Sequence, residues 1–575
     1  MPPRRRPLLP AAAVPFAALA IAGALPAQHD AATPPEKRPM YVAPASSEAQ
    51  EQIRSFRLAP GLACDLVAAE PDLCNAVAFA FDGKGRCFVA ETFRINDGVF
   101  DTRNYMQWKD DDLACLTVAD RVAKYGKHIA KDIPKYAAYS ERIRMLFDSD
   151  RNGTLDRSTV FADGFSDLAD GIASGVLPVG NDVWFTNIPK LWRLRDRDGD
   201  GVADERSAVH DGFGVHTSLI GHDLHGLIVG PDRRLYFSIG DRGFHVQQGE
   251  RTLAYPHEGA VLRCELDGSA LEVVHRGLRN PQELAFDAHG DLFTGDNNSD
   301  GGDRARLVQI VPGADSGWRI GFQWLSDRGA WNRERMWHPR NVGQPAGILP
   351  PIANFADGPS GLAFDPGIGL PARFRGCFFL CDFRGGASNS GVHAIRLQRL
   401  GAGFEVASTE RAIWQVLATD VDFGPDGAMY VLDWVSGWNK TGKGRIYRVR
   451  PPEAANDLAA RATAQLLASD LAGRGVPALQ GLLAHADRRV RQQAQFALVD
   501  LSATDALLAT AKAPEAPLAR VHALFGLGIL GRADAKHLAG VDELLGDGDA
   551  DVRATAARVL GDARLATATA PLRKA

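Results

Sequence analysis

A short pattern recurs six times between residues 87 and 433, and any fold for this chain must treat the six copies alike. Each copy sets a hydrophobic residue beside an aromatic one: Cys87-Phe88-Val89-Ala90-Glu91, Val183-Trp184-Phe185-Thr186-Asn187, Leu235-Tyr236-Phe237-Ser238-Ile239, Leu292-Phe293-Thr294-Gly295-Asp296, Phe378-Phe379-Leu380-Cys381-Asp382 and Met429-Tyr430-Val431-Leu432-Asp433. Five end on an acid or amide, whereas the third delays its acid by two residues, to Asp241. Most follow a turn of the Asp-Gly kind, among them Asp82-Gly83, Pro231-Asp232 and Pro425-Asp426-Gly427, and an apolar run precedes each turn. These are hairpin signals. Repeated hairpins at intervals of roughly 40 to 50 residues, stretched by insertions, predict a β-propeller, because each blade buries its faces against its neighbours. Six blades are expected between Ala59 and Arg450; a β-sandwich or two stacked β domains would leave the six copies unexplained. Glu91, Asn187, Asp296, Asp382 and Asp433 then either converge as a polar ring at a channel mouth or cap local turns and strand ends.

After Pro451-Pro452 the texture becomes Ala- and Leu-rich with helical periodicity, and Arg491, Arg520 and Arg553 recur in similar settings. A spacing of about 30 residues predicts HEAT-like helix pairs. The array ends at Lys574-Ala575 without an obvious polar capping repeat, which leaves open a truncated sequence or packing on something else. The fold class is therefore an all-β six-bladed β-propeller followed by an all-α HEAT-like repeat domain. The expected division is a signal peptide over 1–27, a flexible Pro/Ala-rich lead-in over 28–58, the propeller over 59–450 and the helical repeats over 451–575. An insertion from Ile95 to Ser140, helical around Asp110 to Lys135, is either a lid or a passive excursion.

The 575 residues are 45% hydrophobic and 23% charged, which is globular and too long for one ordinary domain. A net charge of -5 with scattered Lys and Arg offers no basic face for nucleic acid or an anionic membrane. Arg4-Arg5-Arg6 followed by an apolar run and small residues near Ala27 reads as an export signal, hence a periplasmic or secreted protein with no span after cleavage. An uncleaved membrane anchor is the alternative. Seven cysteines, an odd number in an oxidising compartment, leave at least one unpaired, and Cys64–Cys74 is the favoured bridge. Cys377 and Cys381 share a predicted strand at about 13 Å, too far for a direct bond. There is no CxxCH haem-attachment motif.

Two segments carry the alternating-acid spacing of calcium loops: Asp196, Asp198, Asp200 and Asp204 around Gly201, and Asp148, Asp150, Asn152 and Asp156 around Gly153. Oxygens alternating about a tight turn suit a hard cation, although both lack the bidentate Glu at the twelfth position. Solvated acidic turns are the alternative. His222 and His225 stand just before a blade strand with His216 nearby, and an imidazole there can act as a base near neutral pH.

These motifs carry a family resemblance. The His222 segment, Gly277-Leu278-Arg279-Asn280-Pro281-Gln282 and Gly301-Gly302-Asp303 resemble, in the same order, the soluble PQQ-dependent glucose, aldose and sorbosone dehydrogenases, which are six-bladed propellers. The stretch from Asp296 to Trp318 and the ending Asp433-Trp434-Val435-Ser436-Gly437-Trp438-Asn439-Lys440 are similar to multidomain secreted proteins, classed as membrane-bound dehydrogenases, that join such a propeller to HEAT repeats and often to a c-type cytochrome. The resemblance implies His222 as catalytic base, Arg279, Asn280 and Arg384 as cofactor-binding residues, and a cofactor-side calcium loop at Asn298 and Ser299 whose backbone carbonyls are ligands. It implies PQQ and calcium as cofactors, a sugar or other alcohol as substrate, and a separate cytochrome c as electron acceptor. This chain departs from the sugar enzymes at Ile172, where they carry a Gln, at Gly221, where they carry an acid, and at Arg304, which replaces an acid. Two other readings stay open: a non-catalytic module that holds a carbohydrate, or a protein on the HEAT repeats, and a metal-dependent hydrolase or lactonase using channel carboxylates.

Overall fold

A computed structural model describes residues 39–574 except 342 and 345. The expected signal peptide and residues 28–38 of the lead-in lie outside the described residues; the rest of the lead-in is not a flexible linker, since it forms a helix over Glu48–Gln52 and a strand over Arg57–Leu58 that pairs with Trp414 and Ile413 in the fifth blade. Among the described residues no helix is long and apolar enough to cross a membrane.

Six sheets of four or more strands, antiparallel but for one short parallel pair between Glu272–Leu278 and Ala314–Asp315, form the blades of one propeller. Their innermost strands, Ala76–Phe81, Gly175–Val179, Leu224–Val229, Pro281–Phe286, Pro359–Phe364 and Ala418–Phe423, pack side by side in a closed ring. The six recurring segments are the second strands, one per blade. Each has sheet neighbours on both edges and further blades against both faces, so these strands are buried almost throughout and read as continuous apolar runs rather than alternating ones. The ring closes without a seam because the early strand Ala63–Ala68 pairs antiparallel with the late strand Arg445–Arg450 in the sixth blade. Joining the two ends of the domain in one sheet removes the exposed edge that an open array would leave.

The acids and amide that end the second strands do not ring a channel mouth. Asp296 accepts the backbone N–H groups of Arg279 and Asn280, and Asp382 those of Asp357 and Gly358. Glu91 accepts the Cys74 N–H, Asp433 accepts the Val435 N–H, and Asn187 donates to the carbonyls of Gly171 and Ile172. Most of these pins hold the loop that leads into an inner strand. Each position needs a polar side chain because the backbone groups it satisfies are cut off from water.

The C-terminal helices have their own core, with Leu479, Leu498, Leu507, Leu524 and Leu527 fully buried. The repeating arginines have a common job: Arg491 donates to the carbonyls of His485 and Ala486, Arg520 to that of Ala511, and Arg553 to those of Asp547 and Gly548. They tie each helix to carbonyls just upstream that have no partner within a helix. The layer packs on the propeller itself, against the Asp-Gly turns of the blades. Arg489 donates to the carbonyls of Phe423 and Gly424 at 2.7 and 2.9 Å, Gln495 to that of Pro231 at 2.7 Å, and Arg558 to that of Gly290 at 2.6 Å. One face of the helical layer is thus covered by the chain's own propeller.

All seven cysteines are free, which corrects the expected Cys64–Cys74 bridge. Cys64 lies on the strand that closes the sixth blade, whereas Cys74 sits beyond that strand near Arg142 and Glu91. Burial pushes both thiols up to about 12.

Candidate active site

At the end of the channel where the inner strands begin, the loops enclose a cavity of about 910 Å³. His222, Arg279, Asn280, Arg384 and Asn298, which lie in three different blades, all line it. Ser299 is buried behind them.

His222 is held in a defined tautomer. Its Nδ1 lies 2.8 Å from Asp241 Oδ1, and Asp241 also accepts from Ser218 Oγ at 2.8 Å and from Trp318 Nε1 at 2.9 Å. Burial alone would raise the Asp241 carboxyl, but His222, Arg279 and the Trp318 indole outweigh it and hold the group down at about 2. An ionised carboxylate only accepts, so Nδ1 donates to Asp241 and Nε2 is the ring nitrogen left without a protein partner. His225 and His216 differ: His225 lies between the carbonyls of Gly221 and Ser174, and His216 between the Asp112 carbonyl and His257. Burial lowers the pKa of both, and each ring has a backbone carbonyl to take its N–H, which suits a structural role.

Three buried polar atoms of cavity-lining residues have no partner, Arg279 Nη1, Asn280 Oδ1 and, in another blade, Trp434 Nε1. The rest of the Arg279 guanidinium is committed to Gln323 and to Asp300, at 2.7 Å, and lies over the Trp318 ring. An unmatched cationic donor beside an unmatched acceptor is what a planar quinone bearing carboxylates and a ring N–H would satisfy. Arg384 is already paired, with Asp382 and with Asp357 at 2.7 Å. Arg103 pairs likewise with Asp101, so the cavity carries matched charges rather than a cationic field.

The cofactor-side calcium expectation does not fit at Ser299. Its carbonyl accepts Arg328 Nε at 2.6 Å, and the Asp300 carbonyl accepts the same guanidinium at 3.0 Å, so a fixed cation already faces that loop. The Asn298 side chain is taken up by the Asp357 carbonyl and the Asp300 N–H. Of the two acidic loops, Asp196, Asp198 and Asp204 bring ligand atoms within 4.8 Å of one another, while Asp200 closes a local turn by accepting the Val202 N–H. Asp148, Asp150, Asn152 and Asp156 form no such group among the described residues: Asp148 caps the turn through Asn152 and Gly153, and Asp156 is held by Ser149.

The departures have local reasons. Gly221 adopts φ +85°, which an acid would enter only with strain, and its carbonyl anchors His225 and Gln282. Ile172 joins Ile95, Leu417 and Trp434 in an apolar wall. Arg304 lies 3.7 Å from Asp357, at the surface.

Sequence reasoning missed one contributor, Asp241, and left the insertion open between a lid and a passive excursion. Asp241 was visible only as the third copy's misplaced acid, and that displacement is what brings it to His222. The insertion is a wall of the site: Asp101, Arg103 and Asn104 line the cavity. Buried Asp112 accepts the N–H groups of Thr217 and Ser218, and Lys124, paired with Asp112, also bonds Thr217 Oγ1 at 2.6 Å. The loop leading to His222 is therefore clamped from outside.

Residues 215–447 match the family described as glucose / sorbosone dehydrogenase, and residues 48–311 match a domain of unknown function. A stretch of 124 residues is 31% identical to quinoprotein glucose dehydrogenase B of Acinetobacter calcoaceticus, covering 17% of this chain and 26% of that protein. The chain thus spans about a quarter of that relative's length. Similar solved structures include an oxidoreductase described as a glucose dehydrogenase from Thermus thermophilus, 21% identical over 68% of this chain and 100% of that one, with a TM-score of 0.41. Another is the PQQ-bound aldose sugar dehydrogenase of Streptomyces coelicolor, 18% identical over 68% and 99%, with a TM-score of 0.38. Over residues 215–447, less than half of the chain, the propeller is thus similar to the glucose / sorbosone dehydrogenase family.

Proposed function

We propose that the chain is an exported quinoprotein that oxidises a hydroxyl of a sugar or another alcohol and passes the electrons to a separate acceptor such as a cytochrome c. The observation that carries this reading is the His222–Asp241 pair on the same cavity as the unpartnered Arg279 Nη1 and Asn280 Oδ1. Arg279 and Asn280 would hold PQQ, with Arg384 at a further carboxylate. When bound, the quinone supplies the redox chemistry, acting as the acceptor of a hydride from the carbinol carbon. His222 Nε2 takes the hydroxyl proton, and Asp241, fixed as the anion, stabilises the imidazolium that results. Trp318 and Ser218 keep that carboxylate from turning away. The apolar wall of Ile172 and Trp434 excludes water from one side of the reacting group.

Calcium enters this reading as a structural ion in the Asp196, Asp198 and Asp204 loop, and no step is routed through it. A hydrolase using cavity carboxylates has less support, since Asp101, Asp300 and Asp357 are each bonded to an arginine.

The test is titration of purified protein with PQQ, with and without calcium, followed by dye reduction across a panel of sugars and alcohols. The expected result is a quinone absorbance change on binding and turnover with at least one sugar. Folded protein that takes up no PQQ would overturn the reading.

A further inference from the structure

The loop from Trp434 to Lys440 leaves the sixth blade at the cavity end, and its outer part has no role in the chemistry assigned to His222. Trp434, Trp438 and Asn439 line the same cavity as His222. Trp434 is 4% exposed, and its indole Nε1 is a buried donor with no hydrogen-bond partner. Trp438 is the reverse case, 69% exposed yet held in place. It lies against Gly385, where a Cβ would sit 2.2 Å from the indole nitrogen, and stands edge-on to Phe383 at 5.1 Å. The loop is strapped to the insertion by Asn96 bonded to Asn439 and by Lys440 bonded to the Ile95 carbonyl at 2.7 Å. Val435, a β-branched residue, has φ +78°, a conformation kept only where the surroundings impose it.

A fixed indole face open to solvent, a buried N–H without an acceptor and paired amides at one cavity mouth match a ligand with a C–H face and a hydroxyl rim. We infer that this loop is a saccharide subsite that extends the cavity beyond the unit oxidised at His222, so that the substrate is the end of an oligosaccharide rather than a free monosaccharide. The inference rests on the reading of the cavity as a sugar-oxidising site. A volume of about 910 Å³ lies near the top of the range of about 300–1,000 Å³ for small-molecule sites, which suits an extended ligand. Trp438 supplies the stacking face, and the Trp434 N–H gains the hydroxyl acceptor it lacks.

The full chain is titrated with glucose, maltotetraose and cellotetraose by tryptophan fluorescence, and dye-linked kinetics are run in parallel. One of the two tetrasaccharides is expected to bind about 10-fold more tightly than glucose, and Trp438→Ala to remove that advantage. Trp434→Phe keeps an aromatic ring but loses the unpartnered N–H together with the fused ring, so it is expected to weaken tetrasaccharide binding by about 3- to 10-fold in a protein that still folds. Leu400→Ala, on an exposed hairpin of the fifth blade, serves as the control that leaves the ratio unchanged. Neither tetrasaccharide binding more tightly than glucose, or Trp438→Ala keeping the advantage, overturns the subsite. If no sugar reduces the dye while a tetrasaccharide still binds through Trp438, the oxidation reading falls and the subsite stands.

Discussion

The two ends of the propeller channel are made from the same six inner strands and meet opposite conditions. Where the strands begin, long and irregular loops surround an open cavity and leave polar atoms without partners. Where they end, short turns present a repetitive platform that the helical layer covers, enclosing a second cavity of about 730 Å³. There the Asp420 carboxyl is held well above the ordinary carboxylate range by burial and by Asp422, and that of Glu283 by burial and by Asp420. At the open end its partners push an acid toward the charged form; at the covered end burial and neighbouring acids push in the opposite direction. The contrast separates a surface that leaves polar groups unsatisfied, the one proposed to react, from one built to pack.

The sharpest way to break this comparison is His222→Ala. Loss of a general base is expected to lower kcat by about 10²- to 10⁴-fold in a protein that still folds, with some fall in melting temperature because Asp241 loses a partner, measured by dye-linked kinetics and calorimetry. Full retention of turnover would remove His222 from the mechanism while leaving the cavity as the site. Asp112→Asn acts on the same end from behind, by weakening the clamp on Thr217 and Ser218. A fall of about 10-fold in kcat with little change in KM is expected, since the loop bearing His222 would lose its register. A change in KM alone would instead assign Asp112 to binding.

Gly83→Ala probes the covered end. Its Cβ would lie 2.3 Å from the Leu467 carbonyl oxygen, so the helical layer must shift. A loss of about 1–3 kcal/mol in stability is expected, with KM for sugar unchanged because the strain lies at the far end of the channel. Smaller effects come from pH. Asp241, depressed in the folded state, adds stability that is complete above the ordinary carboxylate range and is lost as pH falls toward about 2. Asp420, raised in the folded state, does the opposite: its contribution is complete at acid pH and is lost as pH rises through its folded value. Asp420→Asn should therefore roughly halve the fall in melting temperature between about pH 5 and pH 8. The smallest expected effect is calcium removal. Chelation should lower the melting temperature by about 2–4 °C, and Asp204→Asn should abolish that increment.

The legibility of the two ends also differs. The covered end could be read directly, because Asp-Gly turns and apolar second strands are local devices whose spacing repeats. Its docking partner could not: nothing in the helical periodicity says that Gln495 reaches Pro231 or that Arg558 reaches Gly290. At the open end, His222, Arg279, Asn280 and Arg384 were named from motifs and do share one cavity. The strand-end acids could equally have formed a ring, and only the backbone N–H groups they meet distinguish a pin from a ligand. The Ser299 carbonyl failed as a cation site because Arg328, 29 residues away in the chain, occupies it.

By itself, then, the sequence determined the blade number, the closed all-β ring, the helical tail and the chemical types gathered near the active end, because each is set by periodicity, turn chemistry or a contiguous motif. Tertiary structure alone decided which histidine has a free nitrogen, which arginines are already paired, and that the insertion is a wall of the cavity. Those outcomes depend on contacts between residues far apart in the chain. The same side chain is reactive or inert according to whether a distant partner has satisfied it.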